Sequence, residues 1–283
     1  MIKKLPVSII VHTLNEESNI TNCLESVKWA DEIIIIDNYS DDRTVEIAKN
    51  YTNKIFSYER MGYSDPARKF AVEQTTNEWV LVVDADEMVP LKMKLRLQAI
   101  VEEDIADVVF LPHNNYFYGH KMQKTGWGPL QDMHNRFYKK SKVKIAVKIH
   151  SHPEPVESAR LKTIDDPDEG FVHFNYIDVE HFIEKMNRYT TIEAKGLYEM
   201  NEDLNSRQLV LRIFGEFKLR YISFKGYKEG FNGLSMSLMM AMYRLTVYMK
   251  LKLMTTYKSN EPRNEVKKDY QKIADKIIEE YKE

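Results

Sequence analysis

Three short, largely apolar runs mark the first third of the chain. They cover residues 7–11, 33–36 and 80–83, and β-branched side chains dominate them. Short strands of this kind are typical of a parallel sheet that is covered on both faces. The pattern therefore predicts three buried strands of one open sheet.

Helical patterns lie between these runs. One begins near Glu17, and a second covers about residues 42–51. The apolar stripe of the first helix consists of Ile20, Leu24 and Val27. A third helix opens with Asp65 and Pro66, an N-cap residue followed by proline at the first helical position. The alternation βαβαβαβ predicts an α/β fold with an open, Rossmann-like sheet and right-handed crossovers.

The character of the chain changes after about residue 108. Aromatic residues, glycines and short strand-like pieces fill residues 108–172, which predicts a mixed or antiparallel extension with long loops. The stretch "DDPDEG" at 165–170 is typical of a turn. Beyond Asn175 the pattern predicts a helical C-terminal region, 176–283, because apolar residues there recur at helical spacing. Its first stripe consists of Val179, Phe182, Ile183, Met186 and Tyr189.

A basic, methionine-rich segment covers residues 206–256. It contains nine Lys or Arg and two acidic residues, a net charge of +7, and its stretch 230–243 has no charge. That stretch is too short to span a bilayer, which takes about 20 apolar residues. It is either a buried core helix or a helix on an anionic membrane surface. From Lys258 onward seven positive charges balance seven negative ones, which predicts a solvated amphipathic helix.

Composition restricts the class of protein. The 283 residues are 43% hydrophobic and 30% charged with a net charge of -2, which is typical of a folded domain and not of a polyanion binder. Cys23 is the only cysteine, which excludes disulfides and cysteine-rich zinc sites. The first apolar run ends at Asn15 without a small-residue cleavage site, so no signal peptide is predicted. No recognised nucleic-acid motif accompanies the basic segment.

Polar clusters follow each of the three predicted strands. They read "HTLNEE" at 12–17, "DNYSDD" at 37–42 and "DADE" at 84–87. Ligands of an open parallel sheet bind beyond the carboxyl ends of its strands, so neighbouring strands would bring these clusters to one edge. The first cluster has no glycine, which excludes the Rossmann dinucleotide fingerprint and the P-loop. A nucleotide at this edge would therefore be held by carboxylates.

The carboxylates at this edge have different expected roles. Asp37 can accept hydrogen bonds from a ribose or a base. Asp84 and Asp86 are one residue apart, so one can face a nucleoside and the other a divalent cation. Mg²⁺ and Mn²⁺ suit such a site because they prefer oxygen ligands and can bridge to a diphosphate. Glu87 is left for a helix start or for support of the site.

The same residues carry a family resemblance. "VSIIVHTLNEESNITNCLESVKWADEIIIIDNYSDDRTVEIAKNY", then "ARKFA" and "WVLVVDADE", resembles family 2 glycosyltransferases with a GT-A fold. The rest is similar to the branch that includes lipopolysaccharide inner-core β-1,4-glucosyltransferases, through "YFYGH", "GW", "DMHNRFYKK", "VHFNYIDVEHFIEKMNRYT" and "NGLSMSLMMAMYRLTVYMKLKL". The resemblance implies a GT-A catalytic domain over 1–175. Its residues 1–90 would bind the nucleotide-sugar, and 91–175 would form the acceptor side.

The resemblance also implies roles for single residues. The uridine part of a nucleotide-sugar would be held by Thr13, Glu16 and Asp37. Arg68 or Lys69 would lie near the base or the phosphates. Asp84 would contact the ribose and Asp86 would bind Mg²⁺ or Mn²⁺, which offsets charge on the leaving diphosphate. Arg136 matches the arginine of the branch and would assist there.

The acceptor side departs from the branch at two positions. His134 stands where the branch has glutamine, two residues before the arginine, and His150-Ser151 stands where it has a His-Glu pair. The acceptor is therefore expected to differ from that of the branch.

Inversion at the anomeric carbon needs a general base for the acceptor hydroxyl. Asp132 matches an acidic position before the branch arginine and is the expected base. His150, His152 and Glu154 are alternatives, and each is also explained as a surface loop residue.

The sequence thus predicts a metal-dependent, inverting glycosyltransferase. It would move a hexose from a nucleotide-diphosphate sugar, with UDP-sugars first, to a saccharide acceptor of a cell-envelope glycan such as a lipopolysaccharide core. A cytoplasmic location is expected, and the basic segment leaves open a peripheral contact with the inner membrane. A sugar nucleotidyltransferase is one alternative, although it would want a glycine-rich, basic loop after the first strand. A non-catalytic glycan-binding protein is another, and the intact Asp84 and Asp86 argue against it.

Overall fold

A computed structural model of the chain describes residues 4–59, 65–145, 153–202 and 205–281. The chain divides into two compact units, Met1–Val179 and Glu180–Glu283. The strands lie in the first unit, and the second is helical.

The strands are β1 (Leu5–Thr13), β2 (Ala30–Asp37), β3 (Ile55–Ser57), β4 (Trp79–Asp84), β5 (Glu87–Met88), β6 (Val108–Phe117), β7 (His120–Lys121), β8 (Met133–Lys139), β9 (Val143–Lys144), β10 (Glu154–Pro155), β11 (Leu161–Thr163) and β12 (Phe171–Tyr176). The helices are α1 (Ile20–Val27), α2 (Thr44–Ala48), α3 (Asp65–Glu73), α4 (Leu91–Glu103), α5 (Val179–Glu199), α6 (Ser206–Lys218), α7 (Gly230–Tyr257) and α8 (Pro262–Glu279).

The main sheet confirms the predicted open α/β architecture. Within the described residues it has ten strands in the order β3-β2-β1-β4-β8-β6-β12-β5, and β7 and β11 also pair with β6. The neighbours β3, β2, β1 and β4 are parallel, as the alternation of strands and helices predicts. The strand β3 lies between α2 and α3 and is not marked by an apolar run of its own. The helix α2 is shorter than the predicted 42–51.

The segment after β4 forms the predicted mixed extension. β8 is antiparallel to both β4 and β6, whereas β12 is parallel to β6 and antiparallel to β5. A separate antiparallel pair, β9 and β10, flanks residues 146–152. The predicted turn at 165–170 contains a 3₁₀ turn at Pro167–Glu169, where the Asp166 side chain accepts from the Asp168 amide.

The strand side chains are buried on both faces of the sheet, which explains why these strands are apolar throughout. Ile9, Val11 and Ile35 belong to a cluster that includes α1 and α4 residues. Ile10 and Ile34 belong to the opposite cluster, which includes Ala67 and Ala71 of α3. Each fully buried side chain of this size stabilises the fold by about 1.5–3 kcal/mol. The stripe predicted for α1 is correct, since all its members are buried.

The helical unit has its own core. Ala194 of α5 packs with Val247, Tyr248, Leu251 and Met254 of α7. The stripe predicted for α5 is only partly correct, because Phe182 is buried while Val179 and Ile183 are exposed. The helix α8 has no buried residue in its described length. Within the part of the chain that the structure describes, no helix is long and apolar enough to cross a membrane.

Candidate glycosyl-transfer site

The predicted meeting of the polar strand ends is correct. In the ladder between β1 and β2, Thr13 is paired with Asp37, and in the ladder between β1 and β4, His12 is paired with Asp84. Because these strands are parallel neighbours, their carboxyl ends lie side by side at one edge of the sheet. Three segments far apart in sequence thus contribute to one site.

Thr13 and Asp37 lie almost fully inside the protein at this edge, 4% exposed each. The Asp37 carboxylate accepts a hydrogen bond from the Ser40 backbone amide at 3.1 Å, so it also holds the loop that follows β2. The Oγ1 atom of Thr13 is buried and has no hydrogen-bond partner within the described residues. Buried polar atoms of this kind are uncommon in proteins and often mark the place of a ligand or a water molecule.

The glycine-free turn after β1 is held by side chains instead of by close backbone approach. The Glu16 amide donates to Thr44 Oγ1 at 2.8 Å, and the Glu16 carboxylate accepts from Asn19 Nδ2 at 2.8 Å. Asp42 accepts from the amides of Glu17 and Thr44. Glu16 is therefore held beside the end of β1.

Asp84 forms a part-buried ion pair with Arg136 of β8. Arg136 Nη2 lies 2.8 Å from Asp84 Oδ2. Burial alone would raise the pKa of Asp84, but the Arg136 guanidinium outweighs it and holds this pKa well below its usual range. Asp84 is thus an anion at neutral pH. The Nε and Nη1 atoms of Arg136 are buried and have no hydrogen-bond partner within the described residues.

Glu87 supports the site and does not begin a helix. It lies in β5, is 1% exposed, and its Oε2 accepts a hydrogen bond from the Asp84 amide at 2.8 Å. Its Oε1 lies 3.4 Å from His113 Nε2 and 3.8 Å from Arg136 Nη2. Burial lowers the pKa of His113 more than the neighbouring Glu87 carboxylate raises it. Glu87 therefore holds the end of β4 and one side of Arg136.

Asp86 faces a histidine that sequence reasoning did not single out. His173 Nε2 lies 3.4 Å from Asp86 Oδ2, and both side chains are largely buried. The strand β12 sets this contact, since His173 is paired with Glu87 on one side and with Asn115 of β6 on the other. A carboxylate oxygen and an imidazole nitrogen at one point form a donor pair that fits a first-row divalent cation such as Mn²⁺.

This donor pair provides two protein ligands. Within the described residues no group of three or more His, Cys, Asp or Glu side chains could hold a metal ion. A cation beside Asp86 and His173 would thus keep most of its coordination positions for a ligand such as a diphosphate.

Asp132, the expected base, has both carboxylate oxygens engaged. Its Oδ1 lies 2.8 Å from His134 Nε2, and its Oδ2 accepts from Asn115 Nδ2 at 2.7 Å. Burial would raise the pKa of Asp132, but these contacts, His134 first, lower it below its usual range. Asp132 is therefore ionised at neutral pH. His134, the departure from the branch pattern, is a direct partner of the expected base.

The other residues predicted for the site differ in position and exposure. Arg68 lies beside a small cleft that is also lined by Arg136 and Tyr138, and burial raises the pKa of Tyr138 to about 12. Lys69, its alternative, is exposed. Three other base candidates remain. Glu154 is exposed in β10, and His150 and His152 lie outside the described residues.

Sequence reasoning missed His173, Asn115 and His113. Each is a polar residue inside a strand, and Asn115 and His113 are two apart in β6, so they share one face. Polar residues at alternate positions of a strand, as in "HNNYFY", indicate a functional face. They do not show which strand pairs with it.

Comparison with known proteins shows the family of the chain. Residues 8–153, more than half of the chain, match the family described as glycosyl transferase family 2. An uncharacterised glycosyltransferase of Rickettsia typhi is 26% identical over 269 residues, which cover 87% of this chain and 86% of that protein. The lipopolysaccharide core biosynthesis glycosyltransferase LpsC of Rhizobium meliloti is 25% identical over 249 residues, which cover 82% of this chain and 89% of LpsC.

A solved structure shows the same fold. It is the mannosyltransferase PcManGT of Pyrobaculum calidifontis in complex with GDP-Man and Mn²⁺, with a TM-score of 0.52 and 13% sequence identity. The match covers 88% of this chain and 87% of that one. The GT-A fold expected from the resemblance is confirmed, and the chain belongs to glycosyl transferase family 2.

Proposed function

We propose that this protein is a metal-dependent, inverting hexosyltransferase that uses a nucleotide-diphosphate sugar, with UDP-sugars as first candidates. The observation that carries the proposal is the pair Asp86 and His173 at the sheet edge where β1, β2 and β4 end. A donor diphosphate bound at this edge would complete a cation site that the protein itself leaves open. The acceptor we propose is a saccharide of a cell-envelope glycan such as a lipopolysaccharide core, in line with the name of LpsC.

The chain's residues have separate tasks in this proposal. The nucleoside lies against Thr13, Glu16 and Asp37, and the buried polar atoms of Thr13 and Asp37 suit a ribose and a base. Asp84 accepts from the ribose, and its pairing with Arg136 keeps it ionised. Arg68, which lines a small cleft together with Arg136, would lie near the base or the phosphates. When bound beside Asp86 and His173, a divalent cation supplies positive charge that stabilises the leaving diphosphate.

The transfer step is a single displacement. The oxygen of the acceptor hydroxyl forms a bond to the anomeric carbon, and the bond from that carbon to the diphosphate oxygen breaks. Asp132 accepts the proton of the hydroxyl, and the nucleoside diphosphate leaves with the bonding electrons. The contacts from Asn115 and His134 hold the Asp132 carboxylate in place for this role.

A panel of nucleotide-sugars tests the proposal. Thermal unfolding is measured with UDP-, GDP- and nucleotide-free sugars, each with and without Mn²⁺. A rise in melting temperature that needs both a UDP-sugar and Mn²⁺ supports the proposal. A shift with GDP-sugars alone would correct the donor. No change in melting temperature with any of these sugars would contradict the proposed activity and favour a non-catalytic binding protein.

A second part of the proposal concerns the membrane. The helix α7 packs one face into the core of its unit, and an apolar stripe remains exposed. This α7 stripe consists of Phe231, Leu234, Leu238, Met242, Met249 and Leu253. Its members recur at helical spacing, so they lie along one face over about 33 Å, at a rise of about 1.5 Å per residue.

The basic charges of the segment divide into three groups. Arg220 and Arg244 are paired with Glu216, and Arg244 also pairs with Glu193. Arg212 and Lys250 donate hydrogen bonds to uncharged groups, the Tyr248 hydroxyl and the Asn187 side chain. The remaining cations, which are exposed and have no ion pair within the described residues, are Arg207, Lys218, Lys225, Lys228 and Lys252. An exposed apolar stripe in a segment with free cations suits an anionic lipid surface. We infer that this unit contacts such a surface peripherally, where a lipid-linked acceptor would be found.

A further inference from the structure

Asn115 connects the cation side of the site to the base side. Its side chain is fully buried in β6. Its Oδ1 lies 2.8 Å from His173 Nδ1, and its Nδ2 lies 2.7 Å from Asp132 Oδ2 and 3.2 Å from the Trp127 carbonyl. One amide group therefore contacts both proposed functional side chains.

The partners fix which end of the amide is which. An ionised carboxylate and a backbone carbonyl only accept hydrogen bonds, so the end that faces Asp132 and Trp127 must be the NH₂ group. The reverse orientation would set the amide oxygen of Asn115 against two acceptors. In a buried position each unpaired polar group destabilises the fold.

The tautomer of His173 follows from this orientation. The Oδ1 atom of Asn115 can only accept, so Nδ1 of His173 must carry a proton and donate it. This contact turns Nε2 of the ring toward Asp86, whose Oδ2 lies 3.4 Å away.

We propose that Asn115 is a positioning residue that holds His173 with a proton on Nδ1 and with Nε2 turned toward Asp86, so that a divalent cation could bind between Nε2 and the Asp86 carboxylate. The cation part rests on the proposed function, whereas the tautomer does not. Groups that orient a ligand histidine in this way typically change metal affinity or activity by about 10–100-fold when they are removed.

Strand pairing explains why Asn115 can do this. His173 of β12 and Asn115 of β6 are directly paired in a parallel ladder. The same amide bonds the Trp127 carbonyl and the Asp132 side chain, so it also holds the segment that carries the proposed base. A shift of Asn115 would disturb both sides of the site together.

The first experiment reads the tautomer directly. Long-range ¹H–¹⁵N spectra of the metal-free protein are recorded. The His173 signals are assigned by their loss in His173→Gln. The expected pattern is that of a ring with a proton on Nδ1. A ring protonated only on Nε2, or exchanging between tautomers, would overturn the inference.

The second experiment measures the consequence for the cation. Asn115→Leu removes the amide at nearly constant volume, and Asn114→Leu is the matched control. Asn114 is also buried in β6, but its Nδ2 donates to the carbonyls of Pro167 and Phe171, away from the site. Binding of Mn²⁺, alone and with uridine diphosphate, is followed by the spin resonance signal of the free ion.

The expected results separate the two variants. Asn115→Leu should weaken Mn²⁺ binding about 10–100-fold, and Asn114→Leu should leave it within about threefold of the unmodified protein. Equal losses in both variants would mean that Asn115 acts only through general stability, and no loss in Asn115→Leu would also overturn the proposal.

The outcome remains distinguishable from that of the proposed function. If no nucleotide-sugar stabilises the protein but His173 is protonated on Nδ1, the proposed activity fails and the role of Asn115 on His173 stands. If donor binding is found and His173 is protonated only on Nε2, the activity stands and the role of Asn115 fails.

Discussion

The Arg136 guanidinium lies between two carboxylates at the edge of the sheet. Its Nη2 is 2.8 Å from Asp84 Oδ2 and 3.8 Å from Glu87 Oε1, and the Glu87 side chain is fully buried. One cation from β8 thus serves as the counter-charge of two carboxylates. This arrangement keeps Asp84 ionised while Glu87 holds the end of β4.

Replacing Arg136 by methionine should destabilise the protein strongly. Arg136→Met leaves Asp84 and Glu87 without their counter-charge, and breaking a buried pair in this way costs about 3–5 kcal/mol. The free energy of unfolding is measured by urea titration at neutral pH. The matched control is Arg43→Met, which breaks an exposed pair with Glu46 and should cost about 0–1 kcal/mol. Equal effects would mean that the Arg136 pair adds nothing beyond an exposed one.

The cation pair should be needed for turnover. Asp86→Ala and His173→Gln each remove one donor atom, so each is expected to lower the metal-dependent rate by at least about 100-fold, more than the loss of an outer-sphere partner. The melting temperature without metal should change little. Asp166→Ala, at an exposed turn away from the pair, serves as control. A well-folded Asp86→Ala protein with full activity would remove the metal assignment.

Asp132 should control the chemical step. Asp132→Asn keeps the shape of the side chain but cannot take a proton, so kcat should fall by about 10²–10⁴-fold with little change in KM. His134→Gln retains a donor to Asp132 and should have a much smaller effect. The rates of both variants are compared under donor saturation. A larger loss in His134→Gln than in Asp132→Asn would make His134 the base.

The pH profile offers a separate check on Asp132. Its pKa is lowered from the ordinary value, so its active, ionised form persists above that depressed pKa and is lost only as pH falls through it. The loss of activity at acid pH that protonation of Asp132 causes should therefore lie below about pH 4. An acid limb centred near about 6.5, the ordinary histidine pKa, would assign the titrating group to a histidine.

Binding to anionic vesicles should depend on the α7 stripe. The triple variant Phe231→Ser, Leu238→Ser, Met242→Ser is expected to lose most of its binding to phosphatidylglycerol vesicles, because each apolar side chain contributes roughly 1.5–3 kcal/mol on burial. The control triple is Tyr270→Ser, Ile273→Ser, Ile277→Ser, which changes exposed apolar residues of the charge-balanced α8. Binding should weaken with salt. No vesicle binding of the unmodified protein at low salt would dismiss the membrane proposal.

Acid stability should report Asp107, which lies apart from the site. Hydrogen bonds from Arg160 first, and from Lys139, hold its pKa well below the usual range. Its contribution is present above the unfolded pKa of about 3.9 and is lost as pH falls toward the lower folded value. Asp107→Asn should cost about 3 kcal/mol at pH 7, and the difference should shrink below about pH 4. Exposed Asp275→Asn should stay within about 0.5 kcal/mol throughout.

The sequence by itself determined the parallel core and the place of the carboxylates. β-branched runs in which successive side chains are all apolar fit only strands that are buried on both faces, as Ile9 and Ile10 are. Asp37 and Asp84 then had to lie at one edge, because parallel neighbours end on the same side. Both are local patterns. The spacing of the apolar residues, and the position where that spacing ends, can be read directly from the sequence.

Only the tertiary structure decided what these carboxylates face. His173 is 87 positions after Asp86, and it reaches Asp86 because β12 is inserted between β5 and β6. Arg136 reaches Asp84 because β8 is antiparallel to β4. Such long-range pairings cannot be read from the sequence, since a strand has the same pattern of side chains whichever strand it pairs with. For the same reason the exposed α7 stripe could not be told from a buried one, because apolar spacing does not reveal which face the rest of the unit covers.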